Sequence, residues 1–227
     1  MLEFRMSSGE PLVTPPKPLL RGWLHAIGAV AALGITIGLL LETAGDPPRF
    51  LSLLVFGASM VLLYVVSAIY HIGNWQERPR MLLRTLDHAN IFVFIAGAYT
   101  PICVILLTGT PRTALLVVIW SLALLGAVAS FFTLRMPRWA LILLYIGMGW
   151  ISLILLPQMR QAISLQPVLL LIGGGLLFTV GALIYAFRWP NPLPRVFGYH
   201  ELFHLFVIAG TAAITATIWV WVVPLRL

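Results

Sequence analysis

The chain has 227 residues, 60% hydrophobic and only 9% charged, with a mean hydropathy of +1.00. An ordinary soluble domain carries about a quarter charged residues, so no water-soluble fold of this size could hide so much apolar surface. The net charge of +7 does not point to nucleic acid, because the fourteen basic residues are scattered among loops and not clustered on one face.

Residues 1–19 are polar and proline-broken and lack the apolar stretch and small-residue cleavage site of a secretory signal. The first span itself is therefore expected to direct insertion, with residues 1–19 as a cytoplasmic segment and residues 20–227 as one all-α membrane domain. Seven apolar spans are expected, at Leu20–Leu41, Phe50–Ile72, Leu86–Leu107, Thr113–Phe132, Trp139–Leu156, Pro167–Phe187 and Phe197–Val223. Each is close to the length needed to cross about 30 Å of hydrocarbon at about 1.5 Å per residue. Asp46-Pro47-Pro48, Pro79, Pro111, Pro137, Pro157 and the proline-rich stretch from Trp189 to Pro194 are expected to stop helices. Gly34 with Gly38, and Gly173 to Gly175, are expected to allow close helix packing. Tyr99-Thr100-Pro101 is expected to kink the third span, and Cys103, with no partner for a disulfide, reads as a small apolar helix residue.

Basic residues divide unevenly between the two sides that this topology defines. Arg5, Lys17, Arg21, Arg78, Arg80, Arg84, Arg135, Arg138, Arg188 and Arg195 fall on one side, and Arg49, Arg112, Arg160 and Arg226 on the other. The positive-inside rule then puts the N-terminus in the cytoplasm and, with seven spans, the C-terminus outside, in a cytoplasmic (inner) membrane. Trp23, Trp75, Trp139 and Trp189 fall at inner ends of spans, and Trp219 and Trp221 near the outer end, as interfacial anchors do.

Ionisable groups inside a span cost roughly 2.5–3.5 kcal/mol each at mid-bilayer, so the few that remain need partners. Ser67 and His71 stand four residues apart near the inner end of the second span, on one helical face. Asp87 and His88 open the third span, and the seventh begins His200-Glu201-Leu202-Phe203-His204. The topology brings all three places to the cytoplasmic side, so His71, His200 and His204 can meet with an aspartate at one depth. Three neutral imidazoles and an open fourth position form the ligand set of a catalytic zinc site, where a nearby carboxylate orients water and carries its proton. Asp87 also has a simpler reading as a helix-start carboxylate favoured by the macrodipole, and Ser67 as a serine bonding back along its own helix. His25 is expected to donate a hydrogen bond to a neighbouring helix, and His88 to pack behind the site.

These residues resemble the hemolysin III branch of the progestin and adipoQ receptor family, within a wider group of seven-span hydrolases that includes alkaline ceramidases. The resemblance runs through Ser67-Ala68-Ile69-Tyr70-His71, through Leu86 to Pro101, through His200 to Phe206, and more loosely through Leu24 to Gly28. It implies a Zn²⁺ ion held by His71, His200 and His204, with Asp87 holding the zinc water and Ser67 supporting the site. It also implies a cytoplasmic N-terminus, in agreement with the arginine count.

The leading expectation is a zinc-dependent hydrolase of a lipid amide or ester, partnered by the bilayer and a membrane lipid and not by nucleic acid. One alternative is an intramembrane metalloprotease using His200-Glu201-x-x-His204, with Glu201 as base. Another is a non-catalytic receptor, regulator or cytolysin in which zinc ties helices together. A retinal-type pump is excluded because the only lysine, Lys17, lies outside every span. An ordinary G-protein-coupled receptor is disfavoured because its N-terminus would face outward.

Overall fold

The computed structural model describes residues 17–132 and 138–225. Most of the polar N-terminal segment, together with Arg5, Arg135, Pro137 and Arg226, lies outside the described residues. In chain order the helices are α1 (Trp23–Glu42), α2 (Pro47–Ile72), α3 (Glu77–Leu106), α4 (Gly109–Phe132) and α5 (Arg138–Trp150), followed by a 3-10 turn at Ile151–Leu155. Then come α6 (Leu156–Ala162), α7 (Leu165–Phe187) and α8 (Tyr199–Thr217), the last running into a π turn at Ile218–Val222. Six of these are long and apolar enough to cross a membrane, and α5 with α6, meeting at a 55° bend, make a seventh when taken as one span. The protein is an all-α, multi-pass membrane protein.

Several prolines begin helices where the sequence suggested that they end them. Pro47 and Pro48, Pro79, Pro111 and Pro157 all sit in first turns. The physical reason is that the first four N–H groups of a helix have no intrahelical partner, so a residue lacking one costs nothing there. Asp46 completes the start of α2 by accepting from the Arg49 N–H at 3.2 Å.

The third helix departs most from expectation. It starts at Glu77, not Leu86, and its 30 residues make it about 45 Å long, longer than the roughly 30 Å of hydrocarbon. Hydropathy detects the part of a helix that lipid surrounds; the polar turns of Glu77 to Thr85 continue the same helix beyond it. Asp87 therefore lies nearly three turns inside the helix and is not a helix-start carboxylate. Pro101 does not end α3: Thr100 Oγ1 donates back to the Ala96 carbonyl at 2.8 Å and accepts from Trp120 Nε1 at 3.1 Å. Tyr99 anchors the break in the fifth span, its hydroxyl donating toward the Met148 and Gly149 carbonyls at 3.0 and 2.8 Å and accepting from the Ser152 N–H at 2.8 Å.

Helices α1, α2, α3 and α4 pack as successive neighbours, α7 packs on α8, and α8 returns to α1. A core of Leu39, Leu53, Phe56, Met60, Phe94 and Val207 joins α1, α2, α3 and α8. Since lipid gives apolar helices little reason to associate, close backbone approach carries much of the cohesion. A Cβ on Gly97 would stand 2.1 Å from Ser59 Oγ, and one on Gly57 would stand 2.2 Å from Thr36 Cγ2. The glycines singled out by spacing behave unequally: Gly38 meets Trp219 and Gly174 meets α8, but Gly34 and Gly173 face open space. Spacing alone does not say which face is turned to a neighbour.

Gly97→Ala is expected to lower stability by about 1–3 kcal/mol through overpacking. Gly34→Ala, adding a methyl in open space, is expected to leave it unchanged or slightly raised. Thermal unfolding of both variants in the same detergent checks the pair.

Candidate metal centre

The ends of α1, α2 and α8 are tied together before any metal is considered. Leu19 and Leu20 donate backbone N–H groups to the Arg195 and Val196 carbonyls at 3.0 and 3.1 Å, pinning the entry of α1 to the loop that leads into α8. This places Arg21 Nε on Glu201 Oε1 in a short ion pair, while Glu201 Oε2 accepts from the Gly198 N–H at 2.8 Å. Gly22 follows at φ +84, where a Cβ would be strained and would also stand 2.9 Å from His71 Cβ. Glycine here lets the start of α1 lie directly against the last turn of α2. Lys17 Nζ donates to the Gly73 carbonyl at 3.0 Å, capping that same helix end.

Within this frame α2 offers His71 and α8 offers His200 and His204, all buried. One ligand nitrogen from each lies within 4.8 Å of the others, and the Nε2 atoms of His71 and His200 are 3.0 Å apart. Two imidazole nitrogens at that distance share either one proton or one cation. A tetrahedral zinc with bonds of about 2.0–2.1 Å sets its ligand nitrogens about 3.3–3.4 Å apart, so the three rings fit one ion with small rotations. Helices α2 and α8 are not a closely packed pair; imidazoles span the gap between them. The trio can hold a metal ion, and among the described residues it is the only such group of His, Cys, Asp or Glu.

The surrounding polar residues take distinct places. Asp87 Oδ2 is 3.7 Å from His71 Nε2, too far for a hydrogen bond but close enough to face the centre electrostatically, and Ser67 lines the same end of the cavity. His88 turns away, its Nδ1 donating to the Arg84 carbonyl at 2.7 Å. Tyr145 donates to the His88 carbonyl at 3.1 Å, fixing α3 against α5. Glu201, only 1% exposed, is engaged by Arg21 and by the Gly198 N–H, so it serves as a clasp and helix cap.

His25 corrects an expectation. Neither of its buried ring nitrogens has a hydrogen-bond partner among the described residues. The ring instead lies flat on His204, with centroids 3.7 Å apart and planes 4° from parallel. It braces a ligand ring by contact, and no pattern in the sequence distinguishes that from a hydrogen-bonded role. The Arg21–Glu201 clasp was equally hidden, because an arginine at a span boundary reads as a topological charge.

Below the histidines a cavity of about 970 Å³ runs through the bundle. Leu63, Ile91, Phe94, Ile95, Ile102 and Phe178 are among its apolar walls, and Ser67, Asp87 and the histidines stand at its polar end. On α3 the part of the lining from Asp87 down to Ile102 covers about 22 Å along the axis, which exceeds the half-bilayer of about 15 Å that one lipid chain occupies. The volume lies near the upper end of the roughly 300–1,000 Å³ of small-molecule sites.

Fold and site together define a multi-pass helical membrane protein with a buried three-histidine centre at one end of an internal apolar cavity. Residues 13–215 match the Haemolysin-III related family, and the chain belongs to it. It is 34% identical over 202 residues to Hemolysin-3 of Bacillus cereus, covering 88% of this chain and 89% of that protein. It is 32% identical over 191 residues to the Hemolysin-3 homolog of Bacillus subtilis (strain 168), covering 83% and 86%. A human protein, monocyte to macrophage differentiation factor, is 25% identical over 204 residues, covering 87% and 81%.

Metal analysis of the purified protein is expected to find about one divalent ion per chain, and His71→Ala to lose it. His25→Phe keeps the stacked ring while removing two unpartnered nitrogens, so it is expected to retain metal and melt no lower than the native chain. Unchanged metal in His71→Ala would reassign the centre.

Proposed function

We propose that this chain is a zinc-dependent hydrolase that cleaves the amide or ester bond of a membrane lipid. The observation that carries the reading is the placement of three histidines, Asp87 and Ser67 where a long apolar cavity meets the polar end of the bundle. The reading puts that end at the cytoplasmic face of the cytoplasmic membrane. The unequal distribution of basic residues supports this, with Arg78, Arg80, Arg84, Arg188 and Arg195 on the histidine side and Arg49, Arg112 and Arg160 opposite.

An all-imidazole donor set suits zinc, which would act as a Lewis acid polarising an acyl carbonyl and making water acidic near neutrality. The protein's own residues supply the rest. The cavity takes the acyl chain and brings its carbonyl to the level of the histidines. Asp87 accepts the proton of the attacking water, and Ser67, beside it in the cavity lining, supports that carboxylate. As the water oxygen joins the acyl carbon, the bond from that carbon to nitrogen or oxygen breaks. Asp87 then returns the proton to the departing amine or alcohol, so charge and atoms balance.

Two features favour this reading over its rivals. The engagement of both Glu201 oxygens elsewhere leaves Asp87 as the carboxylate facing the centre, which disfavours a protease using Glu201 as base. Among the described residues the group of possible ligands contains three histidines and no fourth, whereas a purely structural zinc is usually held by four protein ligands.

Asp87→Asn is expected to keep its metal and lose turnover of acyl-amide and acyl-ester lipids by about 10²–10⁴-fold. Glu201→Gln is expected to be less impaired in turnover and to lose about 1–3 kcal/mol of stability through the broken clasp. A folded, metal-bound Glu201→Gln protein as inactive as Asp87→Asn would transfer the proton role to Glu201. Bound zinc without turnover across a broad lipid panel would remove catalysis altogether.

A further inference from the structure

The cavity has a second chemical character at its mouth. Lys17, Arg21, Arg80 and Arg84 line it there, beside Asn74 and Gln76. They come from two separate parts of the chain, the approach to α1 and the first turns of α3, where Arg80 and Arg84 stand one turn apart on one face. Three acidic residues line the same cavity or touch its walls. Glu201 is taken by Arg21 and the Gly198 N–H, Asp87 lies deeper, facing His71, and Glu77 is exposed at the start of α3. Among the described residues, Lys17, Arg80 and Arg84 form no ion pair with a carboxylate. Burial first, and then the charges of Arg80 and Arg21, hold the Lys17 ammonium below its ordinary value. Among the described residues, three of these four cations are thus gathered at one opening without a carboxylate partner.

We propose that this mouth binds an anionic, phosphate-bearing headgroup, so that the lipid entering the cavity is an acyl ester of a phosphorylated glycerol and not a neutral lipid. The proposal rests on the reading of the cavity as the acyl-chain site and names the substrate class for it. Its physical basis is a sequence of three levels along α3. Arg80 and Arg84 lie about 10 Å and 4.5 Å above Asp87 along the axis, and Ile91 to Ile102 continue below it. A lipid whose phosphate is separated from its acyl carbonyl by a glycerol backbone presents anion, carbonyl and chain in that same order. Arginine's planar fork matches phosphate oxygens with two parallel hydrogen bonds. Arginines placed only for topology need not line a cavity. Arg78, from the same turns of α3 and exposed like Arg80 and Arg84, does not line it, and so provides an internal control.

The test uses the full-length, metal-loaded protein in neutral detergent, with phosphatidylglycerol and diacylglycerol of identical chains as probes, and measures equilibrium binding and turnover separately. Phosphatidylglycerol is expected to bind at least about tenfold more tightly than diacylglycerol. The Arg80→Gln/Arg84→Gln double variant is expected to abolish that preference, and Arg78→Gln to preserve it. Inorganic phosphate in millimolar excess should not displace the lipid; displacement with the same arginine dependence would show a free-phosphate site and overturn the lipid assignment. Equal binding of the two lipids, or a preference that Arg78→Gln removes as fully as the double variant does, would overturn the headgroup site. Arginine-dependent binding without turnover of either lipid would uphold the headgroup site and sink hydrolysis instead, so the two readings fail separately.

Discussion

Hydrocarbon contains no water to solvate a polar side chain, so each ionisable group near the lipid must find its partner within the protein. At the histidine end that requirement is met almost residue by residue. Arg21 has Glu201, Glu201 also caps Gly198, Lys17 has the Gly73 carbonyl and His88 has the Arg84 carbonyl. What remains is a set of imidazole nitrogens from His71, His200 and His204 turned toward one another. A single cation satisfies them at once, and this convergence gives the end of the bundle its chemical meaning.

Helix α1 supplies no ligand, yet the site depends on it. Because α2 and α8 are not closely packed, their histidines need an external reference to hold depth and rotation. The approach to the first helix and its first turn provide it three times within five residues: Arg21 fixes the start of α8, Gly22 admits the end of α2, and His25 lies flat on His204. The two unpartnered nitrogens of His25 are the exception to the pairing rule, and the ring's contact there is its stack on His204.

Helix α3 connects the surface to the interior. Its upper turns carry arginines at the cavity mouth, Asp87 stands near the level of the histidines, and its lower turns form an apolar wall. Near its far end Tyr99 gathers the carbonyls where the fifth span breaks, so the bend and the cavity beside it are held by a hydrogen-bonded anchor. One rigid element thereby orders charge, chemistry and chain along a single axis.

Composition alone made this a membrane bundle, since no soluble core could absorb so many apolar residues. The spacing of Ser67 with His71 and of His200 with His204 already placed each pair on one helical face, because the period of a helix is fixed by its backbone. Reading the chain in order then brought those faces to a common end. Depth and pairing lay beyond that reach. Hydropathy follows lipid contact, so it shortened α3 and put Asp87 at a helix start that lies ten residues earlier. It also gave α5 and α6 the same apolar signal as an unbroken span. The Arg21–Glu201 clasp spans 180 residues and the His25–His204 stack joins the first helix to the last. Neither leaves a local pattern, because contacts between distant segments are set by how whole helices pack and not by the residues beside them in the chain.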